Sequence, residues 1–273
     1  QKRKILFIIF NYHFKMGFDP RSRPKREDKK IYWFYKHFFY LSYNIMRVLE
    51  LFSGTGSVGK VSQQLGYDVL SVDLFMKADI QCDIMNFDYK RYPKNHFDII
   101  WASPPCCSFS HLQYSWIGRY KFINGKKTLF TEQLRLKGME EADKLVLKTL
   151  EIIEYFNPPL WFIENPSSGD LKKRQYMKDI NFYDIDYCKY SLWGYKKPTR
   201  IWTNKKHFKN LRCDTDCYNM IGNKHAILIG LPASSKGGKN PSLTNKYRIP
   251  PHLIHSLFND NYKFNLKREF KLA

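Results

Sequence analysis

The feature that most constrains the fold is a strand-like, mostly apolar run that leads directly into a glycine-rich turn. Residues 46–52 predict a buried strand, Gly54, Gly56 and Gly59 follow it, and a helix is predicted to about Leu65. Glycines at such a turn let the backbone approach a ligand closely, and the helix N-terminus offers unpaired N–H groups. No Gly-Lys-Ser/Thr sequence follows, which disfavours a phosphate-binding P-loop. The turn therefore predicts a site for a nucleotide-like cofactor.

Strands and helices alternate beyond this turn. Residues 68–72, 97–102 and 161–163 predict further strands, and residues 131–156 carry apolar side chains at helical spacing. Two prolines that follow Asn157 end this helix. The alternation predicts a parallel α/β sheet whose functional groups lie at the carboxyl ends of the strands.

Three strand ends carry side chains that can take part in binding or catalysis. Asp73 ends the second strand, where an acid can accept hydrogen bonds from both hydroxyls of a ribose. Cys106 follows two prolines, a position suited to nucleophilic attack, and Glu164 can hydrogen-bond or protonate a heterocycle nitrogen. Taken singly, Cys106 also fits a buried small residue and Glu164 a helix-capping acid. Their order along the chain favours a catalytic site.

These residues resemble the ordered motifs of the cytosine-C5 DNA methyltransferase family, in particular its short phage and large-virus branch. The matches are Phe-x-Gly-x-Gly at 52–56, an acid at 73, Asp-Ile at 83–84, Pro-Cys at 105–106, Glu-Asn-Pro at 164–166 and Tyr-Lys-Lys-Pro-Thr-Arg-Ile-Trp at 195–202. The resemblance implies a Rossmann-like α/β core that depends on S-adenosylmethionine and carries a small target-recognition insert.

The resemblance also implies roles for individual residues. Cys106 would attack cytosine C6, Glu164 would hydrogen-bond cytosine N3, and Arg200 would lie near the cytosine carbonyl. The cofactor pocket would be lined by Phe52, Gly54, Thr55, Gly56, Asp73, Asp83, Ile84 and Pro105.

Two positions depart from the family pattern. Pro198 stands where the first arginine of the 195–202 motif is expected, and Lys196 and Lys197 are partial substitutes for it. Cys107 stands where the family usually has glutamine.

The charge balance favours a polyanionic partner. Lysine and arginine total 46 against 25 acidic residues, a formal net charge of +21, and each neutralised phosphate releases condensed counterions. A lysine-rich solvated surface is the alternative. The resemblance implies double-stranded DNA as the partner, with the cytosine flipped out of the duplex. We expect a monomer, and the sequence identifies no restriction endonuclease partner.

The sequence predicts no membrane helix and a reducing intracellular compartment. The apolar run at 5–10 is far shorter than the ~20 residues that span a bilayer. The six cysteines are too few and too irregularly spaced for a disulfide scaffold. Cys213 and Cys217, with His207 and His225 nearby, are an alternative Zn²⁺ site, but their spacing is not that of a standard zinc finger. Free thiols are favoured, and no metal ligand is predicted.

Four segments are expected along the chain. Residues 1–45 form a basic, aromatic-rich extension with eleven basic and three acidic residues, although an extra helix packed on the core is the alternative. Residues 46–202 form the catalytic and cofactor-binding core. Residues 203–246 form a small target-recognition region, and residues 247–273 return to the core.

Two other functions remain open at this point. One is cytosine-C5 methylation of tRNA, which is disfavoured because that branch typically has valine where this chain has Pro166. The other is a catalytically impaired DNA-binding relic, suggested by Pro198 and Cys107.

We predict that a chain beginning at Met46 folds and binds S-adenosylmethionine, because the strand with the cofactor turn starts there. It is expected to lose part of its salt-sensitive DNA affinity together with the basic extension. Calorimetric titration with the cofactor and DNA binding at several salt concentrations check this. An insoluble truncated chain beside a well-folded full chain would place the extension in the core.

Overall fold

The computed structural model describes residues 45–227 and 246–272. Residues 1–44 of the predicted extension and residues 228–245 of the predicted target-recognition region lie outside the described residues. The unit that begins at Met46 is built on a seven-stranded sheet.

The elements are numbered here in chain order. The strands are β1 (Arg47–Leu51), β2 (Asp68–Asp73), β3 (Ile80–Gln81), β4 (Ile99–Ala102), β5 (Tyr120–Ile123), β6 (Lys126–Leu129), β7 (Leu160–Pro166), β8 (Phe182–Asp186), β9 (Pro198–Thr203), β10 (Met220–Ile221) and β11 (Lys224–His225). The helices are α1 (Ser57–Gln64), α2 (Glu132–Phe156), α3 (Pro251–Phe258) and α4 (Leu266–Leu272).

The main sheet has the strand order β3-β2-β1-β4-β7-β9-β8. Strand β1 pairs in parallel with β2 and β4, and β4 pairs in parallel with β7, whereas β9 is antiparallel to both of its neighbours. The order reverses between β1 and β4, where a crevice for ligands opens beyond the carboxyl ends of the strands. The predicted Rossmann-like α/β core is confirmed.

Alternate residues of the central strands enter two hydrophobic clusters. Leu49 and Ile100 belong to the cluster that includes residues of α2, whereas Val48 and Ile99 belong to the cluster that includes residues of α1 and α3. Both clusters are needed because a central parallel strand buries both faces. In the C-terminal segment, Leu253 of α3 lies in the same cluster as Val48.

The long helix α2 spans the predicted residues, and a capping residue lies at each of its ends. The Thr131 hydroxyl accepts a hydrogen bond from the Leu134 N–H at 3.2 Å, as an N-cap does. Asn157 ends the helix in the left-handed region at φ 43°, directly before the two prolines.

The sequence analysis does not predict the strands β3, β5, β6, β8, β9, β10 and β11. Strands β5 and β6 form an antiparallel hairpin in the segment after Cys106. Among the described residues, no helix combines the length and apolar character needed to cross a membrane.

Glu50 connects β1 to α1 through a buried carboxylate. Its two oxygens accept hydrogen bonds from the N–H groups of Val58 at 3.1 Å and Gly59 at 2.9 Å. Burial raises the pKa of Glu50 to about 7, although the two backbone hydrogen bonds act in the opposite direction. A Cβ at Gly59 would lie only 2.8 Å from the carboxylate, so a larger residue there would force the Glu50 side chain to shift.

We predict that Glu50 makes stability decrease as pH rises from about 4.5 to about 7. In this range the unfolded chain releases the proton while the folded protein retains it. The free energy of unfolding should therefore fall by roughly 3 kcal/mol through this group. Glu50→Gln should flatten this slope in urea unfolding at several pH values. Glu140→Gln, on an exposed position of α2, is the matched control, and an unchanged slope in Glu50→Gln would refute the assignment.

Candidate active site

The turn after β4 presents two adjacent cysteines. Pro104 is buried and Pro105 is exposed, so the turn carries the chain from the core to the surface. Cys106 is half-buried at this edge of the sheet and Cys107 is exposed, and both are free thiols. The structure thus places the predicted nucleophile at the carboxyl end of a central strand.

The two thiols influence each other strongly. The hydrogen bond with Cys107, together with burial, raises the pKa of Cys106 well above its usual range. The same hydrogen bond lowers the pKa of Cys107 to about 6. Glu164 further raises the pKa of Cys106 and Lys197 lowers it, so both charged groups act on this thiol.

Glu164 lies near the end of β7 and is buried. Its Oε1 accepts a hydrogen bond from the Tyr187 hydroxyl at 2.9 Å and lies 3.7 Å from Nζ of Lys197. The Lys197 ammonium also lies 4.5 Å from the centre of the Tyr187 ring. Burial and the Glu164 charge raise the pKa of Tyr187, which keeps this hydroxyl a donor. Glu164 therefore has one neutral donor and one cation beside it.

Asn165 joins the two halves of the site. Its Nδ2 donates a hydrogen bond to the carbonyl oxygen of Pro104 at 2.9 Å, and the side chain is almost completely buried. Asn165 follows Glu164 in β7, and Pro104 lies two residues before Cys106. One amide therefore ties the carboxylate-bearing strand to the cysteine-bearing turn.

Arg200 does not lie beside Glu164. In the β7–β9 register Arg200 is opposite Asn165 and Ile201 is opposite Glu164, so Arg200 points to the other face of the sheet. Its guanidinium makes two hydrogen bonds to Asp184, at 2.7 and 2.8 Å. The cation beside Glu164 is Lys197, one of the two lysines considered as substitutes.

The glycine turn is held by Asp73. Oδ2 of Asp73 accepts a hydrogen bond from the Gly54 N–H at 2.8 Å, and Oδ1 accepts two more from Phe75 and Met76, both at 2.8 Å. Gly54 has a φ of 53°, which side-chain-bearing residues rarely adopt. Asp73 therefore shapes the turn, a role that sequence reasoning does not assign to it.

The remaining predicted cofactor residues surround this turn. The Thr55 hydroxyl lies 2.9 Å from that of Ser57, and Gly56 is the N-cap of α1 with a φ of 65°. Phe52 is half-buried and packs against the core. Ile84 is 4% exposed and belongs to the core, so its side chain is not offered to a ligand.

The described residues line a cavity at each of two places along this side of the sheet. One of about 290 Å³ lies between the turn after β4 and α2, and Asp83, Met85, Pro105 and Leu145 are among its lining residues. The other, of about 460 Å³, lies over the turn at 53–56. Asp83 and Pro105 thus line a cavity as predicted by the resemblance, and Met85 lines it where Ile84 was expected.

The segment after Cys106 is fastened to the segment after Glu164. His111 Nε2 lies 2.9 Å from Oδ1 of Asp170, and the Tyr114 hydroxyl donates to Oδ2 at 3.0 Å. Burial alone would raise the pKa of Asp170, but hydrogen bonds from Lys173, His111 and Tyr114 lower it to about 2. The carboxylate therefore stays charged and holds the segment throughout the physiological pH range.

Comparison with known proteins identifies the family. Over 220 residues the chain is 38% identical to a Frog virus 3 (isolate Goorha) protein described as a probable DNA (cytosine-5)-methyltransferase. The match covers 78% of this chain and 98% of the relative. This chain belongs to the DNA (cytosine-5)-methyltransferase family.

Solved structures resemble this methyltransferase more distantly. The Entamoeba histolytica methyltransferase EhMeth is 14% identical with a TM-score of 0.41, over 62% of this chain and 57% of EhMeth. A SAM-dependent methyltransferase from Archaeoglobus fulgidus is 12% identical with a TM-score of 0.33, over 56% of this chain and 72% of that protein. A scan against models of protein families finds no match.

Asn165 is a residue of the candidate site that sequence reasoning leaves without a role. The Glu-Asn-Pro motif contains it, but the motif gives no indication that its amide reaches the Pro104 carbonyl across 61 residues of chain. Lys197 was identifiable only as a neighbour of Pro198 in the later motif.

We predict that Asn165→Ala lowers the free energy of unfolding by about 1–3 kcal/mol, because it leaves a buried carbonyl without its donor. Asn204→Ala is the matched control. Asn204 also donates to a proline carbonyl, that of Pro159 at 3.1 Å, and accepts a second bond from Trp161, but it is exposed. Urea unfolding should show a larger loss for Asn165→Ala. Equal losses would mean that burial does not increase the contribution of the Asn165 hydrogen bond to the free energy of unfolding.

Proposed function

We propose that this protein transfers a methyl group from S-adenosylmethionine to C5 of a cytosine in DNA, through a covalent bond between Cys106 and cytosine C6. The observation that carries the proposal is the convergence of a thiol, a buried carboxylate and an ammonium group. Cys106, Glu164 and Lys197 influence one another electrostatically at the ends of β4, β7 and the segment before β9. Membership of the family supports the reaction class.

The cavity beside the turn after β4 suits the adenosine part of the cofactor. Pro105 and Leu145 provide apolar walls, and Asp83 provides a carboxylate. Oδ1 of Asp83 accepts a hydrogen bond from Met85, and Oδ2 has no hydrogen-bond partner among the described residues, so it is free to accept from an exocyclic amine. The backbone N–H groups at the start of α1 suit the carboxylate of the methionine part. When bound, S-adenosylmethionine supplies an electrophilic methyl group.

Cys106 and Glu164 act on the two sides of the cytosine ring. After the Cys106 thiol releases its proton to solvent, its sulfur attacks C6 and forms an S–C6 bond, while the electron pair of the C5–C6 double bond makes C5 nucleophilic. Glu164 hydrogen-bonds N3 and holds a proton there, and Lys197 balances the carboxylate charge. C5 then takes the methyl group, with S-adenosylhomocysteine as the leaving group. Solvent takes the C5 proton, the electron pair of the C5–H bond restores the C5–C6 double bond, and the S–C6 bond breaks to regenerate the Cys106 thiolate.

The segment after Cys106 offers a surface for the DNA backbone. The β5–β6 hairpin carries Lys121, Lys126 and Lys127, and it exposes the aromatic rings of Tyr120 and Phe122. Lysines suit phosphate contacts, and exposed aromatic rings suit stacking on unpaired bases. The extreme exposure of Phe122, 79%, is explained if the hairpin packs against the duplex.

The protein acts as a monomer on double-stranded DNA, in a compartment that keeps thiols reduced. One chain carries the nucleophile, the carboxylate and the lysine, so no second copy is needed for the chemistry. All six cysteines are free, and oxidation of Cys106 would remove the nucleophile.

We predict that Cys106→Ala lowers methyl transfer by more than about 10³-fold, because it removes the nucleophile. Cys107→Ala is the matched control and should retain much of the rate. Removing Cys107 also removes the group that raises the pKa of Cys106. The rate of Cys107→Ala should therefore rise at lower pH than that of the wild type.

The measurement uses labelled S-adenosylmethionine with DNA, with tRNA and without substrate. Transfer to DNA that is lost in Cys106→Ala supports the proposal. Transfer to tRNA alone would show that tRNA, and not DNA, is the substrate. Cofactor binding without transfer to any substrate would indicate a DNA-binding relic.

A further inference from the structure

Three cysteines and one histidine meet where the segment after β9 packs on β8. Cys188 lies just after β8, Cys213 and Cys217 lie between β9 and β10, and His225 lies in β11. Their three sulfur atoms and one ring nitrogen all lie within 4.8 Å of one another. His207, which the sequence places nearby, is exposed and is not part of the cluster.

Two sulfur–nitrogen distances in the cluster match an edge of a tetrahedral metal site. Nε2 of His225 lies 3.6 Å from Sγ of Cys213 and 3.4 Å from Sγ of Cys217. Bond lengths of ~2.3 Å for Zn–S and ~2.0–2.1 Å for Zn–N give a sulfur–nitrogen edge of about 3.5 Å in a tetrahedron. The cysteines are free thiols rather than a disulfide, so all three sulfurs are available as ligands.

The donor set and its surroundings select zinc. Three thiolates and one imidazole suit Zn²⁺, whereas Mg²⁺ and Ca²⁺ prefer oxygen ligands. Such a site carries a net charge of −1, and two cations lie beside it. Lys196 donates to the Cys213 carbonyl at 2.8 Å, and Lys189 pairs with Asp216 at 2.7 Å, one residue from Cys217.

The backbone that carries the ligands is held by buried side chains. Nδ2 of Asn219 donates to the carbonyl oxygens of Cys188 at 2.9 Å and Ser191 at 2.8 Å, so it joins the β10 side of the cluster to the β8 side. Oδ2 of Asp186 accepts a hydrogen bond from the Cys213 N–H at 2.8 Å. Fixed ligand positions of this kind favour metal binding because less ordering is needed.

We propose that Cys188, Cys213, Cys217 and His225 bind one structural Zn²⁺ ion, which fastens the target-recognition region to the core. Strands β10 and β11 have only two residues each, so this described part of the region has little secondary structure of its own. A four-ligand zinc site supplies the folding free energy that such a short segment lacks. The site adjoins Tyr187, which donates to Glu164, so zinc also steadies the support of the active site.

The full-length protein, purified without chelators, tests this through its metal content. Mass spectrometry of the metal should find about one Zn²⁺ per chain. Cys217→Ser and His225→Ala should each retain less than about a tenth of it, because a ligand is lost. Cys82→Ser and His207→Ala are matched controls outside the cluster and should keep the full content. Zinc that persists in both ligand variants would refute the site.

A second measurement uses the wild type, in case the variants do not fold. Zinc is removed with a chelator and Co²⁺ is added, which should produce the visible absorption of tetrahedral cobalt and a near-ultraviolet thiolate-to-cobalt band. Absence of zinc together with absence of these bands would overturn the proposal. So would stoichiometric iron or copper in place of zinc, or a disulfide among the three cysteines in the freshly purified protein. Methyl transfer is assayed separately, so failure of this site leaves the proposed reaction untouched.

Discussion

The buried amide of Asn165 donates one hydrogen bond to the carbonyl of Pro104, and the geometry of the active site depends on this bond. Parallel pairing of β4 with β7 brings the two strand ends to one edge of the sheet, but it fixes neither the turn after β4 nor the direction of Cys106. The Asn165 bond fixes the turn from its buried side. Cys106, the proposed nucleophile, and Glu164 are then held on neighbouring strand ends before any substrate binds, as catalysis by positioning requires.

The order of elements in the core could be predicted from the sequence because it depends on local patterns. Residues 46–52 are mostly apolar because β1 is buried on both faces, and the turn that follows contains glycine at positive φ. Helix α2 shows helical spacing and ends at Asn157 for the same local reason. The motifs therefore indicated Cys106 and Glu164 and also the strands that carry these two residues.

What could not be predicted depends on contacts between distant segments. Arg200 and Lys197 are three residues apart, and only the antiparallel register of β9 shows which of them faces Glu164. The Asp73 carboxylate accepts hydrogen bonds from Gly54, Phe75 and Met76, and the sequence alone does not show these contacts. Cys188 is 25 residues before Cys213, so spacing alone did not indicate a four-ligand cluster.

The central claim is that the turn presents Cys106, and not its exposed neighbour Cys107, to the cytosine. DNA that contains 5-fluorocytosine tests this directly, because fluorine at C5 prevents the proton loss that releases the enzyme. After incubation with S-adenosylmethionine, peptide mass mapping of the trapped complex should locate the covalent bond on Cys106 alone. A bond to Cys107, or methyl transfer to normal DNA with no trapped complex, would contradict the account.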